Sequence, residues 1–101
     1  MNSLTVVERD ATASQVKVTD DELIVTLVDG RILSVPVVWY PRLAHGTEQE
    51  RNTCELVGRG TGIHWPLLDE DISVSGLLKG NPSFESEQSL RRWLEKRKAQ
   101  E

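Results

Sequence analysis

The stretch Glu22–Val38, which reads ELIVTLVDGRILSVPVV, decides the fold of this chain. Two runs rich in β-branched residues, Glu22–Val28 and Arg31–Val38, flank the dipeptide Asp29-Gly30. Asp-Gly readily adopts the positive φ angles of a two-residue hairpin turn, so the two runs are predicted to form antiparallel strands. Pro36 lacks a backbone N–H and is therefore expected near the end of its strand or on a sheet edge.

Shorter elements are predicted on either side of this hairpin. Val16–Thr19 alternates apolar and polar residues as a strand does, and Cys54–Val57 is a further strand candidate. Thr47 and Glu50 have the spacing of a capping box, which predicts a short helix that ends by Asn52.

The second half of the chain gives less regular signals. Leu67–Asp71 is interpreted as a turn with an acidic run, and Ile72–Leu78 as strand or helix, with a short helix capped by Ser73 preferred. Ser86 to Lys98 is predicted to be an amphipathic helix, because Leu90, Trp93 and Leu94 have i, i+3, i+4 spacing. We expect this apolar stripe to pack on the domain's own sheet.

The predicted fold class is α+β, in a single domain over residues 1–101. It comprises a small antiparallel sheet with its hairpin at Asp29-Gly30, one short central helix and a C-terminal amphipathic helix over residues 86–98. Residues 1–14 are expected to be frayed.

Composition places the chain among ordinary globular domains. It has 101 residues, of which 38% are hydrophobic and 28% charged. Cys54 is the lone cysteine, so an intrachain disulfide is excluded and a cytoplasmic location is expected. No apolar run approaches the roughly 18 residues of a membrane span, and Met1–Asp10 lacks the pattern of a signal peptide.

The charge is unevenly distributed. The net charge is −4, yet Arg91–Glu101 carries +3 and the other 90 residues carry −7. Nucleic-acid-binding domains usually present a basic face on the folded body. Because this body is acidic, we interpret the basic segment as a solvated helix end and do not expect nucleic-acid binding.

A metal or small-molecule site centred on His64 and Asp69–Asp71 is one hypothesis. An imidazole with the oxygens of Asp69, Glu70 and Asp71 could suit a divalent cation, but the spacing matches no established ligand motif. We therefore favour structural roles for these side chains, predict neither metal nor cofactor, and keep the site as the alternative.

Catalysis receives little support. Gly58-Arg59-Gly60-Thr61-Gly62 follows a strand but lacks the Lys-Ser/Thr of a phosphate loop, so the glycines are interpreted as turn-forming residues. Cys54 with His64 would be a nucleophilic pair, but a lone cysteine within a strand usually behaves as a small hydrophobe. No catalytic residue is predicted.

An interaction surface is the preferred hypothesis. Large aromatic residues and arginine dominate binding hot spots because they combine contact area with a polar group. Filling of the core is the competing explanation for the tryptophans. The residues predicted to form this surface are Trp39, Tyr40, Arg42, His64, Trp65, Asp69 and Asp71.

Two stretches resemble a known family. VPVVWYPRL at Val35–Leu43 and GTGIHWPLLDEDISV at Gly60–Val74 are similar to the small bacterial family catalogued as domain of unknown function 2442. The resemblance covers roughly Val18–Gly80. Tyr40 stands where the family commonly has phenylalanine, and Cys54 where it commonly has tryptophan.

The resemblance implies an α+β domain without established catalytic residues. Some members precede a helix-turn-helix domain, and members tend to be encoded beside a small uncharacterised protein, in an arrangement similar to a toxin–antitoxin pair. It thus implies a non-catalytic interaction module with a small protein partner, antitoxin-like in role. Homo-oligomerisation remains open.

Overall fold

The structure is a computed structural model that describes residues 11–100. In this range, two antiparallel sheets form, in the strand orders β1-β2-β3 and β4-β5-β6. The strands are β1 Ala13–Val18, β2 Glu22–Leu27, β3 Ile32–Pro36, β4 Glu55–Val57, β5 Gly62–Trp65 and β6 Glu70–Ser73. The helices are α1 Pro41–His45, α2 Glu48–Asn52, α3 Val74–Leu78 and α4 Glu87–Ala99, with 3-10 turns at Val37–Trp39 and Gly58–Gly60. The predicted α+β class is confirmed.

The hairpin forms where predicted, but its turn is longer. Thr26 pairs with Ile32, and the N–H of Leu27 donates to the carbonyl of Arg31 at 2.8 Å. Val28, Asp29 and Gly30 therefore connect the strands. Gly30 has φ +95°, whereas Asp29 is not among the residues with positive φ, so the two-residue turn that needs positive φ at both positions does not form.

The second sheet changes the interpretation of the acidic run. The predicted turn over Leu67–Asp71 ends at Asp69, which has φ +51°. This left-handed residue helps to reverse the chain, so that Glu70–Ser73 pairs with Gly62–Trp65 as a strand. The prediction of a turn through Asp71 was therefore wrong, because Glu70 and Asp71 are register partners of Trp65 and His64 on β5.

The short helices follow their capping residues. The Thr47 hydroxyl accepts a hydrogen bond from the Glu50 N–H at 3.1 Å, and the Thr47 backbone N–H donates to the Glu50 carboxylate at 2.8 Å. These two bonds confirm the capping box of α2. Ser73 accepts from the Gly76 N–H at 3.2 Å and caps α3. The sequence prediction missed α1, whose first residue is proline, a residue with φ already suited to a helix start.

The core draws apolar side chains from both sheets and the short helices. Leu23, Val25 and Leu27 alternate inward along β2, and the pattern continues with Ile63 and Trp65 on β5. The other buried core residues are Ala11, Ala13, Val18, Val35, Val37, Tyr40, Leu43, Leu68, Ile72, Val74 and Leu77.

Gly60 lies at one close contact between the two halves of the structure. Its φ is +90°, and a Cβ atom built on it would lie 2.7 Å from the backbone oxygen of Ala13. Only glycine allows this approach of the 3-10 turn to β1. The interpretation of the glycine-rich segment as a structural connection fits this packing.

Helix α4 lies against the body with Trp93 packed on the core. Ser86 caps it by accepting from the Ser89 N–H at 3.0 Å. Trp93 is half-buried and packs against the core, with Leu90 and Leu94 also half-buried, but no α4 side chain is fully buried. None of the helices in residues 11–100 has the length and apolarity that crossing a membrane requires.

Fraying was expected over residues 1–14, but Ala13 and Ser14 lie in β1. Ala11 and Ala13 are also buried. The expectations for residues 1–10, including the absence of a signal peptide, lie outside the described residues.

Candidate functional site

Two residues predicted for the interaction surface are core residues instead. Trp65 is 0% exposed and Tyr40 is 4% exposed. Each can be buried because its polar group has a backbone acceptor: the Trp65 indole N–H donates to the Arg51 carbonyl at 3.0 Å, and the Tyr40 hydroxyl donates to the Asn81 carbonyl at 2.7 Å. Their placement on the surface was therefore wrong, since these bonds offset the cost of burying the polar groups.

Trp39 lies on the surface as predicted, together with apolar neighbours. It is 36% exposed, Val38 is 71% exposed and Phe84 is 85% exposed. The Ser83 N–H donates to the Trp39 carbonyl at 3.0 Å, which brings the two segments carrying these side chains together. We call Val38, Trp39 and Phe84 the apolar rim. Phe84 was not singled out from the sequence, where an isolated phenylalanine carries no periodic signal.

Arg42 is a structural hub rather than a free surface residue. Its guanidinium donates three hydrogen bonds to the Glu85 carboxylate, at 2.5, 2.8 and 3.0 Å. It also donates to the carbonyls of Leu68 and Asp69, at 3.3 and 3.2 Å. The hydrogen bond with Arg42 lowers the pKa of Glu85, and the same bond raises the pKa of Arg42. The Asp69 carboxylate lies 3.6 Å from Arg42, so these two predicted residues do come together.

A cleft of about 610 Å³ opens beside this hub. One wall is β6, all four of whose residues line it, and the other is the segment Asn81–Glu85. Tyr40, Arg42 and Lys79 also border it. Its volume is in the range of sites that hold small ligands or peptide side chains.

Glu70 carries an unsatisfied oxygen in the wall of this cleft. Its Oε1 accepts from the backbone N–H of Asp71 at 3.1 Å, but its buried Oε2 has no hydrogen-bond partner among the described residues. Burial raises the pKa of this carboxyl group, and the nearby Glu85 carboxylate adds to the effect. A buried acceptor without a donor is unfavourable, so the surroundings of Glu70 suit a group that the isolated chain does not provide.

His64 and Asp71 form a pair across the second sheet. They are register partners on β5 and β6, and His64 Nδ1 lies 2.7 Å from Asp71 Oδ1. Within residues 11–100 no group of three or more His, Cys, Asp or Glu side chains is arranged to hold a metal ion. Of the residues in the metal hypothesis, His64 and Asp71 are paired, whereas the Asp69 carboxylate faces Arg42.

Helix α4 is held to the rest of the fold by contacts that the sequence analysis did not predict. The guanidinium carbons of Arg42 and Arg97 lie over the Trp93 ring, 5.1 and 4.6 Å from its centroid. Arg97 is in turn held by the Glu50 carboxylate through two bonds of 2.8 Å. Cation–π contacts of this kind join residues distant in sequence, so no local pattern predicts them.

Cys54 offers no support for nucleophilic chemistry. It is half-buried at the edge of the core, and burial raises the pKa of its thiol. A raised pKa reduces the fraction of reactive thiolate at neutral pH.

Comparison with known families identifies the chain. Residues 13–83 match the family described as protein of unknown function (DUF2442). The chain belongs to this family. The match includes both sheets, the cleft wall on β6 and Ser83, while α4 lies outside the matched residues.

Solved structures with this fold include two bacterial proteins. A crystal structure of a protein of unknown function from Rhodospirillum rubrum is 26% identical, with 79% of this chain and 96% of that chain covered and a TM-score of 0.64. A solution NMR structure of an uncharacterised protein from Chromobacterium violaceum is 20% identical, with 88% and 82% covered and a TM-score of 0.66. The second likeness concerns the fold alone. No curated protein matches the chain.

Proposed function

We propose that this DUF2442 domain is a non-catalytic protein-interaction module whose contact surface is the apolar rim and the adjoining cleft. The observation that carries the proposal is that the hydrogen bond between Ser83 and Trp39 brings together the two segments that expose Trp39 and Phe84. Large apolar side chains exposed on neighbouring segments are typical of contact sites for partner proteins.

The segment that carries Phe84 is held to the rest of the fold, which favours its use as a binding surface. Asn81 accepts the bond from the buried Tyr40 hydroxyl, Ser83 bonds to Trp39, and Glu85 is paired with Arg42. Three attachments, one at every second residue, fix the segment that carries Phe84. A preorganised surface loses less conformational entropy when a partner binds.

The partner we propose is a small protein, as the family resemblance implies for a co-encoded neighbour, and the role is antitoxin-like. We place this interaction in the cytoplasm, consistent with a lone unpaired cysteine. Two chains of this kind could also associate through the rim, which makes a homo-oligomer a second outcome of the same test.

The experiment is quantitative affinity purification of the tagged full-length chain from its own host, alongside two rim variants, Trp39→Ser and Phe84→Ser. We expect one small protein to be captured with the native chain in stoichiometric amount. The amount captured by each rim variant should be at least tenfold lower. Ile32→Ser is the matched control, because Ile32 is 68% exposed on β3, away from the rim.

Thermal unfolding of all four proteins must accompany the purification, so that a loss of partner is not a loss of fold. Substitutions at well-exposed positions such as Phe84 and Ile32 change stability by only about 0.5 kcal/mol. Equal capture by the native chain, the rim variants and the Ile32→Ser control would contradict the proposal.

A further inference from the structure

The cleft follows the edge of a strand rather than the face of a sheet. Side chains along a strand alternate between its two faces. A cavity bordered by four consecutive strand residues, Glu70–Ser73, must therefore lie along the edge of β6. β6 is the last strand of its sheet, and no strand pairs with its other side within residues 11–100.

The hydrogen bonds show which backbone groups point into this cleft. The Val74 N–H donates across the ladder to the Thr61 carbonyl at 3.0 Å. N–H groups alternate in direction along an antiparallel strand, so Ile72 also faces the ladder, whereas Asp71 and Ser73 face outward. The Asp71 N–H accordingly donates to a side chain, that of Glu70, at 3.1 Å.

Glu70 thus occupies the position that the carbonyl of an added strand would take. Its carboxylate is partly desolvated in this position, and its second oxygen has no partner in the described part of the chain. The Glu70 carboxylate therefore gives up a single hydrogen bond, the one at Oε1, when another acceptor takes its place at the Asp71 N–H. A side chain placed this way also protects a bare edge from unspecific pairing.

The charges of the cleft define what such a strand should carry. Its ionisable lining comprises four carboxylates, Asp69, Glu70, Asp71 and Glu85, against the two cations Arg42 and Lys79. Arg42 is already neutralised by its ion pair with Glu85. The edge therefore favours a segment with lysine or arginine side chains, and the exposed Phe84 ring in the lining adds an apolar contact.

We propose that the outer edge of β6 binds an extended, lysine- or arginine-containing segment of the partner protein as an added β-strand, whose carbonyl replaces Glu70 at the Asp71 N–H. This inference rests on the proposed function and specifies the partner's chemistry and binding mode. Main-chain bonds would supply affinity, and the carboxylates and Phe84 would supply selectivity.

The probe is a twelve-residue peptide selected from a random display library on the immobilised full-length protein. We expect enriched sequences to alternate basic and apolar residues. In the complex, hydrogen exchange of the Asp71 and Ser73 amides should slow at least tenfold. N-methylation of alternate peptide nitrogens should weaken binding about tenfold in one register and little in the other, because only one set of N–H groups faces β6.

Two substitutions at Glu70 separate strand addition from simple charge attraction. Glu70→Gln removes the charge but keeps an oxygen that can accept from the Asp71 N–H, whereas Glu70→Ala removes both. Strand addition predicts that Glu70→Ala binds the peptide several-fold more tightly than Glu70→Gln. Charge attraction alone predicts equal binding by the two variants. Glu48→Gln, a change on exposed α2, is the control for net charge.

Several results would overturn this inference without touching the proposed function. They are the absence of enriched peptides, enrichment of acidic sequences, unchanged exchange at Asp71 and Ser73, or equal affinities of the two Glu70 variants. The proposed function is judged separately, by the dependence of partner capture on Trp39 and Phe84. If the peptide slows exchange at the β6 edge but partner capture does not depend on Trp39 and Phe84, only the part of the proposed contact surface formed by the rim would be contradicted.

Discussion

Arg97 and Glu50 lie 47 residues apart in the sequence and are joined by two hydrogen bonds of 2.8 Å each. Glu50 also completes the capping box of α2, so one carboxylate both starts a short helix and holds a long one. Arg97 in turn lies over the Trp93 ring. These contacts attach α4 to the body in place of a continuous apolar interface.

Replacing Arg97 by methionine should loosen α4. We expect the free energy of unfolding to fall by about 1 to 2 kcal/mol at pH 7, because a two-bond ion pair at a mostly buried site and a cation–π contact are lost together. Lys96→Met is the matched control on the exposed face and should change stability by about 0.5 kcal/mol or less. Urea denaturation followed by circular dichroism measures both.

The same pair predicts a pH dependence. The hydrogen bond with Arg97 lowers the pKa of Glu50 from 4.5 to about 2 in the folded protein. A depressed pKa stabilises the fold above the unfolded value, and this contribution is lost as pH falls through the folded value. The stability difference between the native chain and Arg97→Met should therefore narrow from pH 4.5 towards pH 2. A constant difference would show that the pair is not ionic.

Glu70→Gln should stabilise the isolated chain at neutral pH. Burial raises the folded pKa of Glu70, so its ionised form opposes folding above that pKa, while stability is fully present below the unfolded value. The gain in stability of Glu70→Gln over the native chain should be greatest at pH 7 and should disappear towards about pH 4. Thermal unfolding across this range tests it, with Glu48→Gln as control. A less stable variant at pH 7 would mean that the carboxylate has a favourable partner.

Trp65→Phe should lower the free energy of unfolding much more than Trp39→Phe. The first leaves a cavity in the core and removes the donor to the Arg51 carbonyl, so we expect a loss of about 2 kcal/mol. The second changes a partly exposed side chain and should change stability by about 0.5 kcal/mol or less. Chemical denaturation of the two variants in parallel gives the comparison, and equal losses would contradict the assigned burial.

Gly60→Ala should lower the stability of the fold much more than Gly30→Ala. Both glycines have positive φ, but a Cβ on Gly60 meets the Ala13 backbone at 2.7 Å, whereas a Cβ on Gly30 meets nothing within 4 Å. We expect a loss of about 1 kcal/mol at Gly30 from strain alone and at least about 2 kcal/mol at Gly60. The melting temperatures of the two variants test this difference. Similar values would indicate that the turn moves away from β1 without penalty.

The elements that could be predicted from sequence are those set by local rules. The hairpin beside Asp29-Gly30, the capping box of Thr47 and the Ser73 cap each depend on residues within a few positions of one another. Strand β6 could not be predicted in the same way. Its acidic residues have low strand propensity, and only pairing with β5 makes them a strand.

The candidate site was only partly predictable for a related reason. Aromatic residues and Arg42 were chosen by type, yet type does not distinguish a core tryptophan from a surface one. Trp65 is buried and Trp39 is exposed because of where β5 and the 3-10 turn lie. Phe84 and the pairing of Glu85 with Arg42 depend on contacts across more than 40 residues, which composition and spacing do not encode.

The close approach of Gly60 to Ala13 bears on how the molecule assembles. Each sheet is a meander whose strands are neighbours in sequence, so each can form from short loops at high speed. Bringing Gly60 to Ala13 closes a loop of 47 residues, a step that meets a larger entropic barrier. We therefore expect the docking of the two meanders to limit the folding rate, and we expect Gly60→Ala to slow folding.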